Sequence, residues 1–318
     1  MKTIWQCGLA IGCILGASVA GFAEPVQRTA ITRDATWALH LDVDALRSTA
    51  VGKHVLTELE KPEEQAKFFA YQMFLSFDPR KSLHGITLYG TTANPNDSVA
   101  LIYADFDPAH LTRLAEMAED HKATTNGQHV IHSWIDAKRR EKEGGEPRSY
   151  AAIHTKAVLF GQEEQRVAET LNALEGRNAG LNPGVLFPNS TAGAGVPILQ
   201  GGAVKIEMQG AEPHAAVFRQ AKAMSLNVAE MDGKIVGTLN LDAVNEEVSK
   251  HMATVARGLV SLLALQTDKP ETVQFARSLS VVEEGARTVI KVSLSSDEVV
   301  KAMTAAAAQK AIAEKSKK

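Results

Sequence analysis

The sequence contains 318 residues, of which 34 are Lys or Arg, 37 are Asp or Glu and 5% are aromatic. The formal net charge of −3 reflects no excess of basic residues, which argues against nucleic acid as a partner. At this length the chain can form one or two hydrophobic cores of ordinary size.

The N-terminus has the pattern of a secretory signal peptide over residues 1–23. Lys2 supplies a positive charge, an uncharged apolar run follows, and small residues lead up to a cleavage point after Ala23. We therefore predict an exported protein, periplasmic or extracellular, whose mature chain begins at Glu24. Two alternatives stay open: a retained membrane anchor, which needs about 20 apolar residues, and lipoprotein processing at Cys13.

Both cysteines of the sequence, Cys7 and Cys13, lie inside the predicted signal peptide. A mature chain without a thiol would have no disulfide, no zinc–thiolate site, no iron–sulfur cluster and no cysteine nucleophile. After residue 23 no apolar run is long enough to span a bilayer, so we predict no transmembrane segment once the signal is removed.

The alternation of strand and helix patterns predicts an α+β protein whose mainly antiparallel sheets are covered by helices. A first unit is expected at 24–176 and a second at 203–310. Between them, 177–202 is rich in glycine, asparagine and proline, which predicts a linker or a long loop. A lysine-rich tail is expected at 311–318.

The two units resemble each other in sequence. Residues 41–46, LDVDAL, match residues 239–244, LNLDAV, and a Lys-His pair follows each of them. The order strand–helix–strand–strand–helix is predicted for 36–119 and again for 232–308. This favours an internal duplication that gives two ferredoxin-like, split β-α-β units. Coincidence is the alternative, because strand–Asp–helix junctions are common for capping reasons alone.

A helix is expected directly after each of the two matching segments. Asp44 and Asp242 are the predicted N-caps, because an aspartate carboxylate accepts from the free amides of a first helical turn. The second of these helices is predicted from Ala243 to about Leu265. We interpret its apolar stripe as a core face packed on a sheet rather than as a membrane-binding surface.

Three stretches of the first unit resemble a group of uncharacterised exported bacterial proteins. They are WALHLDVDAL at 37–46, FDPR at 77–80 and LHGITLYG at 83–90. The resemblance extends over most of the predicted mature chain. The group has no established activity, so the resemblance implies export and identifies no catalytic residue.

His40, Asp42 and Asp44 lie two residues apart, so a strand would place all three on one face. Imidazole and carboxylate groups together can bind a divalent metal. The alternative is a solvated strand face that ends in an N-cap. We favour this alternative because the second unit has Thr238 and Asn240 at the corresponding positions.

Other histidines give weaker signals. His129 and His132 would point to opposite faces of a strand, which argues against a shared site. His54 and His251 lie beside lysines on predicted helices, and we interpret both as surface residues. The sequence also has no Walker loop, no Gly-x-Gly-x-x-Gly after a strand, no Gly-x-Ser-x-Gly and no His-Glu-x-x-His.

The sequence therefore assigns no catalytic residue, no cofactor-binding residue, no metal ligand and no cofactor. The leading hypothesis is a non-enzymatic envelope protein that binds a partner protein or a small ligand. The alternative is a metal-dependent or hydrolytic enzyme that uses strand-borne histidines. Convergence of any three of His40, His84, His129 and His132 within reach of one metal ion would favour the enzyme.

Overall fold

The structure is a computed structural model, and it describes residues 26–180, 186–187, 195–204, 219–266 and 270–315. The predicted signal peptide lies outside the described residues.

One antiparallel sheet of twelve strands runs through the described residues. In chain order its strands are β1 (Trp37–Asp42), β2 (Leu83–Gly90), β3 (Ser98–Ala104), β4 (Lys122–Asn126), β5 (His129–Ile135), β6 (Arg148–Ile153), β7 (Val158–Gly161), β8 (Pro197–Val204), β9 (Ala221–Met231), β10 (Lys234–Ala243), β11 (Leu279–Glu284) and β12 (Arg287–Ser295). Across the sheet the order is β11-β12-β10-β9-β8-β1-β2-β3-β7-β6-β5-β4. The predicted α+β class with a mainly antiparallel sheet is confirmed.

Helices connect and cover the strands. They are α1 (Val43–Ser48), α2 (Ala50–Leu59), α3 (Pro62–Leu75), α4 (Pro79–Ser82), α5 (Pro108–Glu116), α6 (Ala137–Glu143), α7 (Glu164–Leu174), α8 (Glu246–Ala264), α9 (Pro270–Ser278) and α10 (Ser296–Lys315), with short 3-10 helices at Arg28–Ala30 and Pro95–Asp97. The helix α7 packs on β7, β6 and β3, whereas α8 packs on β11 and β12. The last helix, α10, contacts both β12 and α2, so it links the two halves of the chain.

Aspartate side chains begin four of these helices. The carboxylates of Asp42, Asp78, Asp107 and Asp136 each accept from a backbone N–H in the first turn of α1, α4, α5 and α6. A cap of this kind is typically worth about 1 kcal/mol. Helices α4 and α5 also have proline as their first residue, where the missing N–H has no helical partner to lose.

The predicted N-caps are wrong in both units. Asp44 lies inside the first turn of α1, and the cap is Asp42. In the second unit Asp242 belongs to β10 and pairs with Arg287, while Asn245 caps α8. The alternating pattern made the first strand seem longer and the second shorter than they are. Each predicted cap therefore lies on the wrong side of its strand–helix junction, Asp44 in the helix and Asp242 in the strand.

The polar face of β1 is buried, contrary to the prediction of a solvated face. Ala38, His40 and Asp42 are at most 3% exposed. His40 can be buried because its Nδ1 forms a 2.8 Å hydrogen bond with Oγ1 of Thr87 on β2. The carboxylate of Asp42 accepts a 2.7 Å hydrogen bond from the backbone N–H of Ala45. Both polar groups thus replace their hydrogen bonds to water within the protein.

The main hydrophobic core lies between α7 and the strands β2, β3 and β7. Tyr89, Leu101, Leu159 and Leu171 are each at most 1% exposed. Burial of one such side chain contributes roughly 1.5–3 kcal/mol. The second core, under α8, has only four buried members among the described residues: Ala221, Leu241, Ala243 and Met252. Among the described residues, the buried apolar cluster of the second half is therefore the smaller one.

Helix α8 buries only the first part of its predicted apolar stripe. Met252, Ala253 and Ala256 are buried, whereas Leu259 and Leu262 are 38% and 62% exposed. The core interpretation therefore holds for one half of the helix. Within the described part of the chain, no helix is long and apolar enough to cross a membrane.

The structure does not confirm an internal duplication of ferredoxin-like units. In the second segment β12 lies between β10 and β11, as in a split β-α-β unit. In the first segment β1 pairs directly with β2, and β2 pairs with β3. The two segments therefore contain the same elements in the same chain order but arrange their strands differently.

Strand β8 joins the two groups of strands by pairing with β1 on one side and β9 on the other. Residues 197–202 belong to the predicted linker or loop but form most of this strand. The glycines that suggested a loop are required by close packing. A Cβ on Gly202 would overlap the carbonyl oxygen of Leu186, and one on Gly201 would lie 2.9 Å from the carbonyl oxygen of Ala38.

We expect Gly202→Ala to lower the melting temperature, because the obstructing atom is backbone and cannot move aside alone. Overpacking of this kind typically costs about 1–3 kcal/mol. The matched control is Gly258→Ala in α8, where a Cβ would meet no atom within 4 Å. The control should leave stability unchanged or raise it by roughly 0.5–1 kcal/mol, since alanine favours helix. Equal melting temperatures for the two variants would contradict the close approach of the Leu186 backbone to β8.

Candidate functional site

The four histidines singled out in the sequence lie apart. His40 bonds to Thr87 inside the sheet, and His132 shares a 3.0 Å hydrogen bond with His121. His84 and His129 belong to two further and separate clusters. No three of the four bring their ring nitrogens within reach of a common metal ion. The ligand atoms of His40, Asp42 and Asp44, for which a metal site was the less favoured interpretation, do not all lie within 4.8 Å of one another.

His84 bridges two carboxylates. Its Nδ1 lies 2.9 Å from Oδ2 of Asp44, and its Nε2 lies 3.1 Å from Oδ2 of Asp105. Burial lowers the pKa of His84, but the hydrogen bonds and the charges of Asp44 and Asp105 outweigh it and hold the pKa above its usual value. The two acids bind opposite nitrogens of the ring, so they hold the imidazole in place without forming a common ligand site.

Arg47 ties α1 to the start of β2. Its guanidinium pairs with Asp44 and donates to the backbone carbonyls of Arg80 (2.9 Å), Pro79 (3.5 Å) and Leu83. Four acceptors on one side chain fix the angle between α1 and the α4–β2 junction. The position of α1 relative to the sheet follows from this network.

A cavity of about 230 Å³ lies beside the network, enclosed by α1, α2, α3 and α4. Its walls are mainly hydrocarbon, contributed by Leu46, Val55, Leu56, Leu59, Phe68 and Leu83. These side chains follow the helical spacing that buries one face of each short helix. These side chains face one another across the cavity.

Two arginines, Arg47 and Arg80, line the cavity as well. Arg80 holds Asp78 by two hydrogen bonds of 2.9 and 2.8 Å, and its guanidinium lies 5.3 Å from the centre of the Phe68 ring. The hydrogen bonds from Arg80 lower the pKa of Asp78 and keep it ionised. Both cations are therefore neutralised by a neighbouring acid, Arg47 by Asp44 and Arg80 by Asp78.

The bend between α1 and α2 determines the shape of one cavity wall. Thr49 separates the two helices, accepts from the backbone N–H of Gly52 at 2.9 Å and donates to the carbonyl of Leu46 at 2.6 Å. Gly52 approaches that carbonyl so closely that a Cβ would overlap it. A glycine at position 52 is therefore required for the two helices to meet at this angle.

A second cluster joins His129, His154 and Glu175 at the far end of the first half. Oε1 of Glu175 lies 3.1 Å from Nε2 of His129 and 2.7 Å from Nε2 of His154. The two imidazole rings are 5.3 Å apart, centre to centre. Hydrogen bonds from His154 and then His129 lower the pKa of Glu175, so the carboxylate is ionised at neutral pH.

His154 and Glu175 were not predicted as partners of His129. The pairing of Ile131 with Ala152, continued outward by two residues, places His129 opposite His154. The register of the β5–β6 pair is therefore sufficient to bring these two histidines together. Glu175 is the C-cap of α7. Its contact with the two histidines depends on how α7 packs on the sheet, and no local sequence pattern predicts that packing.

No protein-family model matches this chain, and no curated protein matches it. Three crystal forms of TP0453 are similar in structure. Form III has a TM-score of 0.48 and 10% identity and covers 87% of this chain and 97% of that one. Form I has 0.46 and 9%, with 87% and 96% covered, and form IV has 0.46 and 11%, with 89% and 97% covered. A likeness at this level identifies neither a family nor a function.

We expect the stabilisation that His84 contributes to be present at low pH and lost at high pH. Because its pKa is raised in the folded state, the contribution is complete below the unfolded value of 6.5 and disappears as pH rises through the folded value. Denaturant unfolding of wild type and His84→Ala from about pH 5.5 to about pH 8.5 measures this difference.

His132→Gln is the matched control for this experiment. Burial, and then the neighbouring His121, lower the pKa of His132 in the folded state. The contribution of His132 to stability should therefore be complete above 6.5 and fall as pH decreases through the folded value. The same pH trend for both variants would contradict the assignment of opposite pKa shifts.

Proposed function

We propose that this protein is an exported, non-enzymatic envelope protein that binds a small apolar ligand in the cavity between α1, α2, α3 and α4. The observation that carries the proposal is the hydrocarbon lining of that cavity. When a ligand covers apolar surface that was in contact with water, the complex is stabilised by about 25 cal/mol for each Å² of apolar surface buried. The signal-peptide pattern of residues 1–23 supports the exported location.

The size of the cavity favours a small ligand over a partner protein. Its volume of about 230 Å³ is below the range of roughly 300–1,000 Å³ that is typical of drug-sized ligands. A single short hydrocarbon chain suits it better. Burial of about eight methylene groups would gain roughly 6 kcal/mol at about 0.8 kcal/mol each. That gain corresponds to a dissociation constant of about 40 μM before any cost. The costs of ordering weaken it, so a value of hundreds of micromolar or weaker is expected.

The paired charges beside the cavity favour a ligand whose binding does not depend on a charged head group. Arg47 is held by Asp44 and by backbone carbonyls, and Arg80 is held by Asp78. An anionic head group would have to compete with these acids for the guanidinium groups. We therefore infer that the hydrocarbon part of the ligand supplies most of the affinity.

The enzyme alternative has less support. It required any three of His40, His84, His129 and His132 to converge, and these four lie in separate environments. His84 is held by two acids, and His132 is paired with a second histidine. Neither arrangement places a nucleophile or a metal beside the apolar cavity.

The binding experiment is a calorimetric titration of the mature protein with 1-octanol and with octanoate. Both should bind, with affinities within a few-fold of each other and with a negative heat-capacity change, which marks burial of apolar surface. Leu56→Trp should fill the cavity and weaken binding of both probes by about 10-fold or more. Leu262→Trp is the control, because Leu262 is 62% exposed on α8.

The melting temperature of each variant shows whether it is folded. If Leu56→Trp does not fold, Val55→Phe on the same wall provides the smaller obstruction. Unchanged affinity in a folded Leu56→Trp or Val55→Phe variant would contradict the cavity as the binding site. Binding of octanoate alone would contradict the inference that the hydrocarbon part dominates.

A further inference from the structure

Beyond apolar binding, the structure carries a candidate metal site that is independent of the cavity. Within the described residues, His129, His154 and Glu175 form the group of metal-ligating side chains whose donor atoms all lie within 4.8 Å of one another. We propose that these three residues bind one Zn²⁺ ion. Two imidazoles and one carboxylate are a ligand set that zinc uses in proteins, with a fourth position open to water.

The distances between the donor atoms suit a small divalent ion. Zinc bonds of about 2.0–2.2 Å in a tetrahedral arrangement place neighbouring donors roughly 3.3 Å apart. Oε1 of Glu175 is already 3.1 Å from Nε2 of His129 and 2.7 Å from Nε2 of His154. The ion would therefore enter after a small outward movement of side chains that already point at one another.

The backbone positions of the ligands are fixed by rigid elements. His129 is the first residue of β5, and His154 directly follows β6, its partner strand. Glu175 is the C-cap of α7, which packs on both strands. The last carbonyls of a helix carry partial negative charge, which favours a cation at this end. Ligands held in this way lose little freedom when the metal binds.

The exposure of the side chains leaves a path for the ion. His154 is 8% exposed, His129 16% and Glu175 20%. The carboxylate is ionised at neutral pH, as described above. A zinc ion would bring a net charge of +1 to the three ligands, because one carboxylate opposes two positive charges. Water can complete the coordination from the solvent side.

Two contacts oppose metal binding and limit the affinity. The side-chain amide nitrogen of Gln128 lies 3.4 Å from Nε2 of His129, the nitrogen that would bind zinc, so this amide has to move aside. The backbone N–H of Lys156 points at Nδ1 of His154 at 3.2 Å, so in the metal-free protein the ring proton lies on Nε2. Zinc at Nε2 moves that proton to Nδ1, where it would face the N–H of Lys156, so the hydrogen bond is lost and the backbone at Lys156 has to shift away. At 3.2 Å the bond is long, and its loss lowers the zinc affinity without preventing coordination.

The test uses Zn²⁺ alone, added to mature protein that has been treated with a chelator. Calorimetry or competition with a chromophoric chelator at about pH 7.5 should show one ion per chain and a rise in melting temperature. Mg²⁺ should not compete, because it prefers oxygen ligands.

Glu175→Gln and His154→Ala should each weaken zinc binding by about 10- to 100-fold. Glu175→Gln keeps the size of the side chain and one oxygen acceptor, so it separates loss of the ligand from loss of the fold. His84→Ala is the matched control, because His84 also contacts two acids but through opposite ring nitrogens. It should leave the affinity unchanged.

Three results would overturn the proposal. They are no stoichiometric binding by folded wild type, equal binding by wild type and Glu175→Gln, and loss of binding in His84→Ala but not in His154→Ala. The octanol titration is separate from this experiment. Failure of the zinc site therefore leaves the proposed function of the cavity intact, and the reverse also holds.

Discussion

The pairing of β8 with β1 on one side and β9 on the other is the interaction on which the rest of the structure depends. It joins seven strands to four others in one sheet. Gly201 permits the close approach to β1, because a Cβ there would lie 2.9 Å from the carbonyl oxygen of Ala38, and Gly202 leaves room for the carbonyl of Leu186 beside the strand. The smaller second core contributes little apolar burial by itself. We therefore expect the second half to depend on β8, and on the contact of α10 with α2, for its stability.

The two candidate sites follow from different parts of this sheet. The apolar cavity forms where the chain leaves β1 and turns through four short helices before it returns as β2. Arg47 sets the angle of the first helix, and Gly52 sets the second. The histidine cluster forms where β5 and β6 end beside the C-terminus of α7. The cavity lies between packed helices. The candidate zinc ligands lie at the ends of two paired strands and one helix.

Local chemistry predicted much of the fold. Alternation indicates strands, and an aspartate followed by proline, as at Asp107, is a local signal for the start of a helix such as α5. Three features were not predictable locally. The burial of His40 and Asp42 depends on partners supplied by Thr87 and by the turn of α1. The strand at 197–204 has a loop-like composition because glycine is required at two positions by close contacts with residues outside the strand, Ala38 and Leu186. The cavity exists only after four helices pack, so no single motif could indicate it.

Native-state hydrogen exchange of the mature protein, followed by mass spectrometry of its peptides, tests the central claim of one continuous sheet most directly. If β8 joins the halves, peptides covering residues 197–204 should be as protected as those from β1 and β9. All three should then open together as denaturant is added. Fast exchange across residues 197–204, or opening of β9–β12 at a lower denaturant concentration than β1–β3, would contradict the claim.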